Sequence, residues 1–436
     1  MAERSHSVTL DQSVCTGCTN CLKQCPTQAI RVQNGKAKIL SERCIDCGEC
    51  IRVCPYHAKK AVTDSMEIMA NYRHCVALVA PAFYGQFSKA EQIDVILSSL
   101  LEIGFDDVWE VAQGAEIISQ KTRELLASGE LLKPSISSAC PAVVSLIAVR
   151  FPNLIQHIIP LRSPMEVAAR EARLSISKKT GLPASEIGIF FISPCAAKAT
   201  VVKYASNVEK SEVDAVFSMK DVYLKIAQQI SRISAEHVRH LSRSGAEGAL
   251  WATAGGEARA THVDRKIAVD GIHDVIKILE AIEDGKLSDI EYVEALACPG
   301  GCVGGPLNAE NNFVANSRIK WISKGLPKTG EQTETEENVF WDHPVVYRSV
   351  MNLDSDISKA MQMAMEIENI CERLPMLDCG SCGAPSCRDL AEDIVRGLAS
   401  ENDCIFRLRE KISALAREMV ELDTIGRRER EDQNER

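Results

Sequence analysis

Sixteen of the eighteen cysteines in this 436-residue chain fall into three groups whose spacing suits metal ligation. Two tight runs lie near the N-terminus: Cys15, Cys18, Cys21 and Cys25-Pro26, then Cys44, Cys47, Cys50 and Cys54-Pro55. Each reads C-x2-C-x2-C-x3-C-P, a spacing that holds pairs of [4Fe-4S] clusters. Four more cysteines are scattered through the middle: Cys140 in SSACP, Cys195 in SPCAAK, and Cys298 and Cys302 in ACPGGC. The third group, Cys379, Cys382, Cys387 and Cys404, has C-x2-C-x4-C-x16-C spacing. Cysteine thiolates are the ordinary ligands of iron-sulfur clusters, so the pattern argues electrons delivered to a buried metal centre and redox chemistry on a small substrate. Structural zinc would need two separate four-cysteine sites at the N-terminus, and zinc motifs rarely pack so tightly or end each run in proline.

The elements that must position these groups can be read from local pattern. The N-terminal runs resemble bacterial two-cluster ferredoxins. That resemblance implies a crossed arrangement, with Cys15, Cys18, Cys21 and Cys54 on one cluster and Cys25, Cys44, Cys47 and Cys50 on the other. Between the runs, IRVQNGKAKI predicts a hairpin turning at Asn34-Gly35. From Cys75 to Arg348, short β-rich runs (VALVA, DDVWEV, IGIFFIS, VDAVFS, YVEALA) alternate with amphipathic stretches, as α/β layers require. Several runs end just before Pro81, Pro194-Cys195 or Cys298-Pro299, and open α/β sheets bind ligands beyond the carboxyl ends of their strands.

The motifs SSACPAV, SPCAAKAT and EALACPGGCVGG resemble, in order, the three cysteine signatures of the catalytic domain of [FeFe]-hydrogenases. By that resemblance Cys140, Cys195, Cys298 and Cys302 bind a [4Fe-4S] cluster. Cys302 bridges it to a two-iron subsite carrying carbonyl, cyanide and a dithiolate, the composite H-cluster. Lys198 matches the family lysine that donates to an iron-bound cyanide, Ala80 and Pro81 a loop near the other cyanide, and Ser163-Pro164 a third cluster-facing turn. The Gly255-Gly256 pair resembles a family glycine turn and reads equally well as a plain structural turn.

The departures from the family pattern carry the functional expectation. Ala139 stands where fast hydrogenases carry a proton-passing cysteine, and alanine carries no proton. A positioned acid-base group is worth about 10²- to 10⁴-fold in rate. Ile159 stands where the family's proton path has a serine, and the acidic residues of that path are not recognisable in ISQKTRELL. Ser193 and Leu296 replace methionines beside the two-iron site, and Val143 replaces a tryptophan. Together these resemble the sensory branches of the family, which keep the cluster without fast proton delivery.

After a polar stretch from Lys324 to Asn338, a helical pattern runs from Asp354 to Leu374. The last cysteine group follows, with a helix between Arg388 and Ala399. This group resembles a small [4Fe-4S] domain of ferredoxin-oxidising complexes and corrinoid proteins. The reading places it at the opposite end from the ferredoxin segment, as a second electron port or redox-sensitive joint; zinc is the second choice. Ile405, Leu408, Ile412, Leu415, Met419 and Leu422 then recur at 3-4-3-4-3 spacing, either a dimer coiled coil or one helix packed on its own domain. The final GRREREDQNER is polar enough to be disordered.

The expected architecture is an α/β H-cluster domain, two lobes around a buried cluster, with an N-terminal α+β bacterial-ferredoxin domain and a small helical C-terminal [4Fe-4S] domain. Its boundaries are 1–74, 75–350, 351–404, and 405–436 for the amphipathic helix and tail. The expected cofactors are four [4Fe-4S] clusters and the two-iron subsite. The expected partners are H2 and protons, ferredoxin or another electron carrier, H-cluster maturation proteins, a separate signalling protein, and a second copy through the C-terminal helix. A net charge of −10 with no basic stripe argues against nucleic acid. No apolar run approaches the roughly 20 residues of a membrane span, and the absence of a signal peptide with so many metal-spaced cysteines predicts a reducing cytoplasm. The competing functions are a slow, sensory H-cluster protein, a working hydrogenase with an unfamiliar proton path, and a cluster-assembly relative lacking the two-iron site.

Overall fold

The computed structural model describes residues 6–88, 92–204, 207–230, 233, 235–330 and 339–434, with side chains described up to residue 424. The chain forms two compact units that do not follow chain order. One joins Met1–Asp11 to Ser41–Val350, and the other joins Gln12–Leu40 to Met351–Arg436.

The strands in chain order are β1 (Val8–Leu10), β2 (Ile30–Gln33), β3 (Lys36–Ile39), β4 (Lys59–Ala61), β5 (His74–Val79), β6 (Asp107–Glu110), β7 (Ser135–Ile136), β8 (Ile187–Ser193), β9 (Ala215–Ser218), β10 (Lys266–Asp270) and β11 (Tyr292–Leu296). In the first unit a four-stranded parallel sheet has the order β6-β5-β8-β9, with His74 opposite Ile187 and Val76 opposite Asp107. Its central strands are continuous apolar runs because helices cover both faces, the usual condition for parallel sheets. Every residue of β8 is buried, and Phe190 stacks on Phe217 with ring centroids 5.4 Å apart. A second parallel sheet, β10-β11-β7, pairs Ile267 with Val293 and Tyr292 with Ser135.

All five expected strands of this region are present. The two unexpected ones have physical reasons for being missed. Strand β7 is only two residues long, and β10 is half-exposed along its length, so neither carries a clear apolar period. Strands β5, β8 and β11 and the short β7 deliver their carboxyl ends to Ala80-Pro81, Pro194-Cys195, Ala297-Cys298 and Ser137–Cys140. The N-terminal edge is tied in by β1 pairing antiparallel with β4. A buried network supports it, in which Ser7 N–H and the Thr200 hydroxyl donate to the two oxygens of Asp46 at 3.1 and 2.9 Å.

In the second unit, β2 and β3 form the expected hairpin, with Asn34 and Gly35 at φ of 52° and 70°. A helix spans Ile357–Arg373, its N-terminus capped by the Asp356 carboxylate accepting from Ser358 and Lys359 N–H. A second spans Cys387–Val395, capped by Ser386, and the two pack around Ile367, Ile370, Leu374, Leu390 and Ala391. One expectation fails here. The C-terminal cysteine group does not lie at the opposite end from the ferredoxin segment: it packs on the β2–β3 hairpin within one unit. Arg31 of β2 is buried and donates to Asp393 through Nε at 2.6 Å and Nη2 at 3.1 Å.

The last helix runs from Ile405 to Asn434, so it continues through most of the tail expected to be disordered; residues 435–436 lie outside the described residues. A stretch rich in Arg and Glu has good helix propensity despite its polarity, which the composition argument undervalued. The apolar seam on this helix faces solvent, with Ile412, Met419 and Leu422 at 57%, 71% and 68% exposure, so it does not pack on its own domain. Of the polar stretch Lys324 to Asn338, residues 331–338 lie outside the described residues. No described helix is long and apolar enough to cross a membrane.

Candidate metal centre

The four central cysteines converge on one cavity of roughly 770 Å³, counting its opening to solvent. Cys140 precedes the helix Pro141–Arg150, and its carbonyl accepts from Val143 and Val144 N–H. Cys195 precedes the helix Ala196–Lys203. Cys298 follows β11, and Cys302 opens a short 3-10 turn. Gly301 between them, at φ +94°, is required to be glycine, because a Cβ would sit 2.7 Å from Ala254 N. All four cysteines line the cavity together with Ala80, Pro81, Ala139, Pro164, Lys198 and Leu296.

Two sequence-expected residues are placed elsewhere. Ser193 is fully buried and holds the turn before Cys195, accepting from Cys195 N–H at 3.1 Å. Ser163 lines a neighbouring polar pocket with Arg162 and Glu166.

The electrostatics suit a metal cluster. Burial pushes the Cys195 thiol far up, and the neighbouring Cys298 and Cys140 sulfurs add like-charge repulsion. Cys302 is pushed up to about 12 by burial, against the opposing pull of Lys198. Cys298 is raised by burial too, although Arg52 opposes the rise with Nη1 at 3.5 Å from the sulfur. Thiols gathered in one mostly apolar cavity resist ionising one by one, but iron displaces their protons and neutralises them together. The donor set and the glycine cradle therefore fit an iron-sulfur cluster.

A buried acidic network that the sequence reading missed borders this cavity. Glu257 lines it, and accepts from the Ser137 hydroxyl at 2.7 Å and the Tyr292 hydroxyl at 2.6 Å. Ser137 Oγ also accepts from Ala139 N–H at 3.2 Å, so the position of the alanine connects to the carboxylate through one hydroxyl. Burial raises the pKa of Glu257. Glu294, on β11, is pushed up to about 8 by burial and then by the charge of Glu257, although Gly255 and Ala258 N–H donate to it. The helix Val111–Ser128 turns Val111 and Ala115 toward the cavity and Ile118 and Thr122 toward a small adjoining pocket that Ile159 also lines. Trp251 joins the cavity wall, its indole N–H donating to Ser119 at 2.9 Å, while Val143 lies in the core.

The other cysteine groups show ligand-like surroundings. In each N-terminal run the fourth sulfur accepts a backbone N–H four residues on, Ala29 to Cys25 at 3.2 Å and Ala58 to Cys54 at 3.3 Å. Burial pushes the Cys54 thiol up, but the backbone donors outweigh it and the net shift is downward. In the C-terminal group Cys387 and Cys404 are buried, and Cys382 is raised by burial and by the nearby Cys379 and Cys404.

A family model described as iron only hydrogenase large subunit, C-terminal domain, matches residues 73–306. The chain belongs to the [FeFe]-hydrogenase family. A 4Fe-4S dicluster model matches residues 7–55 and an Fe-S cluster model matches residues 374–406, so iron-sulfur clusters are the cofactors of this hydrogenase-like protein. It is 24% identical over 378 residues to iron hydrogenase 1 of Clostridium pasteurianum, the match covering 70% of this chain and 65% of that protein. It is 22% identical over 369 residues to the periplasmic [Fe] hydrogenase large subunit of Nitratidesulfovibrio vulgaris, covering 70% and 86%. It is also 22% identical over 379 residues to a probable cytosolic Fe-S cluster assembly factor of Drosophila persimilis, covering 72% and 76%. The apo [FeFe]-hydrogenase HydA1 from Chlamydomonas reinhardtii shares the fold, with a TM-score of 0.52 at 14% identity over 66% of this chain and all of that one.

Proposed function

We propose that this chain binds and activates H2 (H2 = 2 H⁺ + 2 e⁻) at an H-cluster, slowly, in a sensory or regulatory role. The observation that carries the reading is one cavity walled by Cys140, Cys195, Cys298, Cys302 and Lys198, with Ala139 where a proton-passing group would serve. When bound, the composite cofactor, a [4Fe-4S] cluster joined to a two-iron subsite with carbonyl, cyanide and dithiolate, supplies an open position for H2 and an adjoining electron store.

The chain's own residues do the rest. Cys140, Cys195, Cys298 and Cys302 would hold the cluster as thiolates. The Lys198 ammonium, reaching from the turn after Cys195, is the one cation among the cavity-lining residues and orients an anionic ligand. Pro81, Pro164 and Leu296 give the cavity an apolar wall. A methyl group at Ala139 leaves the first proton transfer without a positioned donor. The dicluster segment carries two further [4Fe-4S] clusters and the C-terminal group a fourth, giving electrons a route to ferredoxin or a similar carrier. Maturation proteins supply the two-iron subsite. The solvent-facing seam from Ile405 to Leu422 supports a second copy, or a separate signalling protein, as the output partner.

The buried Glu257 favours a second reading, a working hydrogenase that moves protons through Ser137, Glu257 and Tyr292. The assembly-factor relatives represent a third. Infrared spectra of the anaerobic protein loaded with the two-iron cofactor, recorded with and without H2 alongside uptake assays, separate all three. Carbonyl and cyanide bands that respond to H2 with slow turnover support the sensor. Fast uptake means the Glu257 route is efficient, and absence of bands after loading leaves the cluster carrier.

A further inference from the structure

We infer that the C-terminal cysteine site exchanges electrons directly with the cluster of the first N-terminal run, through a buried joint within one unit. The C-terminal ligand loop meets both the first run and the hairpin that follows it. Val32 N–H donates to Gly383 O at 2.9 Å, and Gly383, at φ +85°, lies so close that any Cβ would collide with the Val32 carbonyl. Gly380, the neighbour of Cys379, lies against Leu22 and Lys23, with the site of its missing Cβ 3.5 Å from Leu22 Cδ2 and 3.3 Å from Lys23 Cε. Leu22 directly follows Cys21.

The joint is fixed from the other side by charge. Arg31 bonds Asp393 and lies 3.7 Å from Asp389, and all three side chains are buried. Both aspartates stand on the helix that begins at the ligand Cys387. A buried cation between two carboxylates holds one geometry, since separating the partners would leave uncompensated charge in a dry interior. Gly380, next to Cys379, and Leu22, next to Cys21, are thus neighbours across the joint. The step itself is one electron: a reduced C-terminal cluster is oxidised, an oxidised cluster at the first run is reduced, and no proton or bond changes. In the cell the electrons come from or go to the H2 couple; in the test the reductant is dithionite.

The test is electron paramagnetic resonance of the anaerobic full-length chain, reconstituted with iron and sulfide but without the two-iron subsite, and reduced with dithionite. The reduced spectrum is expected to show spin coupling between the C-terminal and first-run clusters. Cys382→Ser should remove the C-terminal cluster and, with it, the splitting and fast relaxation of the first-run signal. Gly383→Val should weaken the coupling while iron content stays at the wild-type level, which separates a displaced loop from a lost cluster. If Cys382→Ser merely subtracts an isolated signal and leaves the remaining lines unchanged in shape and relaxation, the joint is structural and the inference fails. Because no step uses H2, this outcome is independent of whether the protein activates hydrogen.

Discussion

The Arg52 guanidinium lies 3.5 Å from the Cys298 sulfur, joining the second ferredoxin-type run to a ligand of the central site across 246 residues of sequence. Arg52 sits between Cys50 and Cys54, also bonds Glu49 at 2.7 Å, and its buried Nε has no partner among the described residues. A guanidinium held this way is fixed in its charged state, and Cys298 and Glu49 strengthen that preference against burial.

A fixed cation against a ligand sulfur stabilises the reduced, more negative cluster and raises its potential. Arg52→Gln should therefore lower the midpoint of the [4Fe-4S] cluster in the central site. A tenfold fall in the reduced fraction at fixed potential corresponds to about 59 mV for one electron. Redox titration followed by electron paramagnetic resonance, with Arg52→Lys as the charge-retaining control, reads the shift. An unchanged midpoint in Arg52→Gln would show that the contact serves packing alone.

Ala139→Cys should raise hydrogen uptake only modestly, by no more than about tenfold, well short of the 10²- to 10⁴-fold that a complete acid-base relay can contribute. The reason lies beyond position 139. The adjoining pocket places Ile118, Thr122 and Ile159 along the side of the usual path, and its one carboxylate is Glu257, already held by the Ser137 and Tyr292 hydroxyls. A return to fast turnover in this single variant would mean that Glu257, one hydroxyl away through Ser137, already completes the path.

Glu257→Gln tests that carboxylate directly. Glutamine keeps the hydrogen bonds from Ser137 and Tyr292 but cannot shuttle a proton, so under the slow reading uptake should stay close to wild type while the infrared bands of the loaded site persist, whereas a drop of about 10²-fold would show that the Glu257 route carries the protons. Equal rates in wild type and Glu257→Gln would restrict the network to a structural role.

The difference between what the sequence disclosed and what it hid follows from range. Ligand cysteines announce themselves by local spacing, and the hairpin at Asn34-Gly35 and the five apolar strands by period and turn chemistry, so those elements were legible. Arg52 looked like an ordinary charge within a cluster motif, because only the folded chain brings it to Cys298. Glu257 was hidden behind a glycine pair that reads as a plain turn. One signal was available: Glu294 is a lone carboxylate in the otherwise apolar strand YVEALA, and a charge in a buried strand needs a reason. The docking of the C-terminal group on β2 and β3 could not be read either, since the buried pair Arg31–Asp393 joins residues 362 apart.

The two buried glutamates also predict how stability changes with pH. Glu294 is pushed up to about 8 in the folded protein, against an ordinary carboxyl value near 4.3, so the folded chain keeps a proton that the unfolded chain releases in between. Its favourable contribution is fully present below about pH 4 and is lost as pH rises through about 8, with a slope of up to about 1.4 kcal/mol per pH unit for the single proton. The groups facing it are Glu257, which strengthens the effect, and Arg259, which opposes it. Glu294→Gln is neutral throughout and should flatten this dependence. Thermal unfolding of the anaerobic, cluster-loaded chain at pH 6 and pH 8.5 should show a larger loss for wild type than for Glu294→Gln. Parallel losses in the two proteins would mean that Glu294 is already ionised in the folded state, held by the backbone donors Gly255 and Ala258, and that desolvation does not win at this site.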